Sequence, residues 1–241
     1  MVEGKGNEEG RMKNEKTSAV GSERENIFTR IREALTVEAH AHGPIGLPTV
    51  ADHRRVLPAV GATFDEQLAL FAKNSADLRT DFQVVRDSSD LAARLHAFRD
   101  LEGWKKVAAH KGELTDAALR ALSLPAMNTE AGFDKNELGR CDVGITECDA
   151  LVAQTGTVVI TNGSAGGRAL SVLPPHHVVI ARRSQLVADL PAAFALVKQR
   201  YGGNYPSMIS FVTGASRTGD IERILVLGAH GPKKLTIFLL N

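Results

Sequence analysis

Apolar positions in the first part of the chain recur mostly at helical spacing. Ile27, Phe28, Ile31 and Leu35 form one stripe, and Ser22-Glu23-Arg24-Glu25 before them matches a capping box, so a helix is predicted to start at Ser22. Thr63-Phe64-Asp65-Glu66 is a second capping box, opening a helix with Leu68, Phe71 and Leu78 on one side. Pro44, Pro48 and Pro58 predict a long irregular connection between the two. Phe82 to Val85 reads as a strand, and Asp87-Ser88-Ser89-Asp90 caps a helix carrying Leu91, Leu95 and Phe98. A strand over Lys106 to Ala109 and a helix over Thr115 to Leu122 follow.

Beyond about residue 140 the pattern changes to short, β-branched apolar runs separated by glycine-rich turns. Asp142 to Ile145, Thr157 to Ile160, His177 to Ala181, Met208 to Val212, Ile224 to Leu227 and Leu235 to Leu240 read as strands. Cys148 to Gln154 reads as a helical turn or two, and Leu190 to Tyr201 as a helix. Such alternation predicts an α/β fold, an open, mostly parallel sheet with helices on both faces. The expected organisation is a disordered tail over 1–21, a helix and irregular linker over 22–60, and an α/β domain over 61–241.

Charge sharpens this division. The chain of 241 residues has 29 Lys+Arg and 28 Asp+Glu, and residues 1–140 hold 20 and 22 of these. The charge-poor second part is where buried strands and functional turns are expected. A net charge of +1 supports neither bulk nucleic-acid nor membrane binding. No apolar run reaches the length of a membrane span, and the N-terminal residues show no secretory pattern, so a cytoplasmic location is expected. Two cysteines suit a reducing compartment and cannot supply the four thiolates of an iron–sulfur cluster. Cys141 and Cys148 lack CxxC spacing and read as buried small residues, and no metal site is predicted.

Four turns could carry chemistry. The segment from Thr213 to Glu222 offers Gly214 for close backbone approach, hydroxyls at Ser216 and Thr218, the fork of Arg217, and Asp220 as a cap for a short helix. It could bind a carboxylate or phosphate, or it could be a capped turn whose arginine forms an ordinary ion pair. The Asn162–Arg168 loop is polar and ends in Arg168; it either covers an anion or is a simple connection. Thr155, Gly156 and Thr157 form a third turn, and His230 lies in a fourth. His176, His177 and His230 could act as bases or be hydrogen-bonded structural histidines; His40 and His42 are a weak metal signal. Glu147, after a strand, is either a nucleophile or base, or a first-turn helix charge.

Five blocks in order carry a family resemblance: Val143-Gly144-Ile145-Thr146, Ala153-Gln154-Thr155-Gly156-Thr157, Leu170-Ser171-Val172-Leu173-Pro174-Pro175-His176-His177, Thr213 to Glu222, and Gly228-Ala229-His230-Gly231-Pro232. Together they resemble the lactate-utilization protein C family, whose module is the LUD domain. Gln154 stands where the family usually has an acidic residue, and Ala215 where it has proline. The resemblance implies a fold like that of ribose-5-phosphate isomerases, glucosamine-6-phosphate deaminases and coenzyme A transferases. It also implies a part in oxidising L-lactate to pyruvate beside iron–sulfur partner proteins. With two cysteines here, the clusters would sit on those partners and this chain would be a non-redox component without a cofactor of its own. The alternative is an independent enzyme acting on a small anionic substrate, with Glu147 or His230 as base or nucleophile and Arg217 as anion clamp.

Overall fold

A computed structural model describes residues 23–36, 57–130, 132–218, 226–228 and 230–241. The chain divides into two compact units, Met1–Ala51 and Asp52–Asn241. In the first, helix α1 spans Glu23–Thr36. The predicted cap Ser22, the connection carrying Pro44 and Pro48, and His40 and His42 lie outside the described residues.

The second unit is built on six strands: β1 (Asp81–Val85), β2 (Val107–Ala109), β3 (Ala126–Asn128), β4 (Val143–Thr146), β7 (His176–Arg182) and β12 (Lys234–Leu240). They form one sheet in the order β1-β12-β7-β4-β2-β3, every pair parallel. Helices α2 (Phe64–Asp77), α3 (Ser88–Glu102), α4 (Glu113–Leu122) and α5 (Lys135–Gly139) precede or connect these strands. The expected α/β architecture is present. The capping box at Thr63 and the Asp87 cap form as the sequence predicts: Thr63 accepts from the Glu66 amide, and Asp87 from the amides of Ser89 and Asp90.

Strands buried on both faces explain the unbroken apolar runs. Val178 and Ile180 of β7 pack with Leu91 and Leu95 of α3 and with Leu114, Ala118 and Leu122 of α4. Val179 and Ala181, on the other face, pack with Phe71 of α2 and with Leu151, Val158 and Ile160. These last three belong to a second sheet of four strands, β8 (Leu186–Val187), β5 (Ala150–Val152), β6 (Thr157–Thr161) and β9 (Ile209–Val212), in that order. The outer face of this sheet, Ala150, Val152 and Val159, is covered by Ala193 and Val197 of α7 (Leu190–Tyr201). A short ribbon pairs β10 (Arg217–Thr218) with β11 (Val226–Leu227).

The expected helical turn over Cys148–Gln154 is instead β5 and the start of a hairpin. Ala150, Leu151 and Val152 pair antiparallel with Val159, Val158 and Thr157, and Gly156 turns the chain at φ +64°. Pairing on both edges of β5 satisfies its backbone in a fully buried place, which outweighs local propensity. The loop expected from Asn162 opens with a helical turn, α6 (Asn162–Ala165), capped by the Thr161 hydroxyl. The short elements β3, α5 and β8 leave no periodic signal in the sequence.

His176 and His177 start β7 and are buried. Their Nε2 atoms meet the hydroxyls of Thr236 and Thr146, each at 2.9 Å. Burial pulls His176 down to about 4, with Lys234 adding to the fall and Glu102 opposing it. Burial, with the neighbouring His176, pulls His177 down to about 3. Unfolded, both bind a proton near pH 6.5, so from about pH 6.5 to 4 the unfolded state holds more protons and stability falls as pH falls. Urea unfolding across this window should show that slope, and His176→Gln should flatten part of it.

Candidate functional site

The strand order places one crevice. From β1 to β2 to β3 the chain moves across the sheet in one direction, with α3 and α4 packed on one face. From β3 it turns back to β4, and Leu138 of the intervening α5 packs with Ala108 in a separate cluster. The connections leaving the adjacent strands β2 and β4 therefore part to opposite faces, and open α/β sheets bind ligands at the carboxyl ends of such a pair. His110 follows β2 here, and Glu147 follows β4.

Glu147 reaches across the crevice, and its Oε1 accepts from the amide of Leu114 at 2.8 Å, in the first turn of α4. That helix has Gly112 at its N-cap and no capping side chain of its own residue there. The glycine leaves room for this contact: a Cβ at 112 would lie 2.4 Å from Glu147 Oε1, so the carboxylate would have to shift. The Glu147 amide donates to His110 Nε2 at 3.2 Å, which leaves Nδ1 to donate to the Lys111 carbonyl at 3.0 Å. Both ring nitrogens of His110 are thus spent on the frame, whereas Glu147 Oε2 has no hydrogen-bond partner among the described residues. It can accept a hydrogen bond from a ligand hydroxyl.

Beside this pair opens a cavity of about 320 Å³, lined by Thr129, Glu130, Asn162, Gly166 and Gly167. Gly166, at φ +59°, lies directly on His110, where an added Cβ would come within 2.2 Å of His110 Cβ. The turn carrying these glycines is held by Asp149, which is almost fully buried. Asp149 accepts from Ser164 Oγ at 2.6 Å, Arg200 Nη1 at 2.5 Å and Tyr201 OH at 2.8 Å. Burial pushes this carboxyl up, but the hydroxyls of Ser164 and Tyr201 and the Arg200 guanidinium outweigh it and hold it below the usual carboxylate range. Burial pushes the Cys148 thiol up, as do the carboxylates of Asp149 and Glu147, so it is no thiolate nucleophile.

The structure divides the residues singled out in the sequence. Glu147 lies on the carboxyl side of the parallel sheet, and Arg168 follows the glycines of the crevice and is exposed. Thr155, Gly156, Thr157, Gly214 and Arg217 gather instead around the end of α2, which leads into the amino end of β1. Thr157 Oγ1 links the hydroxyls of Thr155 at 2.8 Å and Thr213 at 2.7 Å. Gly156 and Gly214 pack on Leu78, and an Arg217 N–H donates to the Leu78 carbonyl, as cations do at helix C-termini. Ser216 joins Pro232 and Gly228 through its backbone, and Thr218 pairs with Val226. His230, exposed, precedes β12 on this amino side, so Glu147 and His230 are not brought together. Asp220 and the helix expected after it lie outside the described residues. Sequence reasoning missed His110, Thr129, Asp149, Arg200 and Tyr201. Of these only His110 left a signal, a polar residue directly after an apolar strand.

Among the described residues no three His, Cys, Asp or Glu side chains are grouped to hold a metal ion, and no helix is long and apolar enough to cross a membrane. Asp149→Ala should leave Ser164, Tyr201 and Arg200 without their acceptor and lower stability by about 2–4 kcal/mol. Chemical denaturation checks this, and the Asn162–Gly167 turn should lose amide protection first.

Comparison with known proteins agrees with this architecture. A Lactate utilization protein C of Shouchella clausii is 33% identical over 180 residues, covering 72% of this chain and 78% of that one. The Lactate utilization protein C of Bacillus subtilis is 27% identical over 232 residues, covering 90% and 95%. The crystal structure of a DUF162 family protein from Deinococcus radiodurans superposes with a TM-score of 0.61 at 21% identity, over 75% of this chain and all of that one. The LUD domain pattern matches residues 72–240. The crevice and both sheets are thus built from the part of the chain that matches, and the chain belongs to the LUD domain family.

Proposed function

We propose that this chain serves lactate utilization as a component of L-lactate oxidation to pyruvate, without a redox centre of its own. The observation that carries the reading is the 33% identity, over most of both chains, to a protein named Lactate utilization protein C. Oxidising a hydroxy acid to a keto acid releases two electrons and two protons. With two cysteines in the whole sequence, both buried, the electrons are assigned to iron–sulfur proteins acting beside this chain. The small carboxylate would contact Glu147 Oε2 through its hydroxyl, and Thr155, Gly156, Thr157, Gly214, Ser216, Arg217 and Thr218 would frame the opposite side of the domain.

A strain lacking the gene should lose growth on L-lactate as sole carbon source, and tagged protein from lactate-grown cells should copurify with iron–sulfur proteins. Normal growth together with no such association would overturn the reading. Glu147→Gln keeps an oxygen for the Leu114 amide but removes the charge; it should restore growth poorly while lowering the melting temperature by only about 2–4 °C. Full complementation would remove Glu147 from the site.

One observation favours a second reading, an independent enzyme acting on a small anionic substrate: the unshared carboxylate oxygen of Glu147 at the strand-order reversal. Turnover by the purified chain alone, lost in Glu147→Gln, would establish it.

A further inference from the structure

Thr129 directly follows β3 on the carboxyl side of the sheet and lines the cavity beside Glu147. It is only 7% exposed, yet its Oγ1 has no hydrogen-bond partner among the described residues. A buried hydroxyl left alone has lost its water without return, so in a native fold it asks for an explanation. The backbone fixes its place: the Thr129 amide donates to the Ala109 carbonyl at 3.1 Å and continues the ladder between β3 and β2. The hydroxyl faces the glycine turn, since a Cβ added at Gly166 would lie 3.1 Å from Oγ1. The next residue of that turn, Gly167, lines the same cavity, and its amide has no partner among the described residues. His110 ties this corner to Glu147. Its Cβ lies against the Gly166 turn, and its Nε2 accepts from the Glu147 amide at 3.2 Å. Thr129 and Gly167 thus offer neutral donors on one side of a single imidazole, and Glu147, with its unshared Oε2, stands on the other.

The two sides differ in hydrogen-bonding sense, and that difference chooses the ligand. Neutral donors without acceptors of their own match the oxygens of a carboxylate. A carboxylate alone fits poorly, because Glu147 and the rim residue Glu130 repel it; Glu130 is exposed, and its Oε1 accepts from the Lys111 amide at 3.4 Å. A ligand with a hydroxyl next to its carboxylate answers both sides, since the hydroxyl proton can go to Glu147 Oε2. A keto acid presents a lone pair where that proton is needed. We propose that Thr129, with the Gly167 amide, holds the carboxylate of a 2-hydroxy acid whose hydroxyl donates to Glu147, so that the crevice takes the hydroxy acid in preference to the corresponding keto acid. This inference rests on the reading of the crevice given above and adds a residue that sets its specificity. It also gives a reason for release of an oxidised product, which loses its bond to Glu147.

Isothermal titration of the full chain with L-lactate, pyruvate and propionate tests this. L-lactate should bind about tenfold more tightly than either of the others, because a site built around a ligand hydroxyl rejects analogues without one. Thr129→Val keeps the shape and removes the hydroxyl; it should weaken L-lactate binding about tenfold, and Thr129→Ser should recover most of the loss. Glu147→Gln should narrow the preference for L-lactate over propionate, since its carboxamide nitrogen offers the ligand hydroxyl no acceptor. The melting temperature of the ligand-free chain separates binding from a structural role. Thr129→Val deletes an unpaired polar group and should melt at or above the unaltered chain, whereas a hydroxyl serving the fold would be missed. Absence of L-lactate binding at millimolar concentration would overturn the proposal. So would pyruvate or propionate binding as tightly as L-lactate, L-lactate binding unchanged in Thr129→Val, or a clear fall in the melting temperature of that variant. Loss of lactate growth in the deletion strain, with no L-lactate binding by the chain, would overturn this inference and leave the role in lactate utilization standing. Thr129-dependent binding with normal growth would do the reverse.

Discussion

The carboxylate of Glu147 on the Leu114 amide is the bond around which the site is arranged. Where the strand order reverses, the connections after β2 and β4 leave for opposite faces, and the ladder between these strands ends at Ala109 and Ile145, so beyond it the two segments need another tie. Helix α4 starts at that gap with unpaired N–H groups and a glycine where a capping side chain would stand. Glu147 supplies the cap from the neighbouring strand, and the helix end in turn favours its negative charge. His110 closes the loop from β2 by accepting the Glu147 amide. The same closeness explains two glycines: Gly112 leaves room for the carboxylate, and Gly166 leaves room for His110.

The second sheet extends this frame outward. Its inner face shares a core with β7 and β12, and its outer face is covered by α7. Asp149 joins the layers where apolar contact alone would not fix a turn, taking donors from α6 and from the end of α7. A buried carboxylate is costly, and here three donors meet it, so it orders Asn162–Gly167 while the surrounding apolar contacts supply most of the burial energy. The turn beside the crevice is consequently placed by a residue that has no contact with the cavity itself.

The elements were legible where one signal decided them. The capping box at Thr63 and the cap at Asp87 needed only four residues each, and the doubly buried strands β7 and β12 left apolar runs with no competing reading. β5 was illegible because a short apolar run bordered by Cys148 and Gln154 fits a helical turn equally well, and the choice was made by partners on both its edges, residues 157–159 and 186–187. The site was half legible for the same reason. Glu147 stood out as a carboxylate after a strand, but its role depends on Leu114, 33 residues away, and on a strand order no local pattern encodes. Arg217 stood out as a charge in a glycine turn, yet its N–H meets Leu78, 139 residues earlier in the chain.

The carboxyl edge carries charge of both signs, and magnitudes decide which contact organises it. Glu130 and Glu147 mark the crevice, and Arg182 and Arg183 mark a cleft beyond it. The ion pair between Glu113 and Arg182 bridges the two, but with side chains 81% and 41% exposed it contributes at most about 1 kcal/mol. The adjacent residue, Leu114, is fixed instead by a charge-assisted bond to Glu147, partly shielded from water. Position at this edge is therefore set by Glu147, while the Glu113–Arg182 pair can open at little cost.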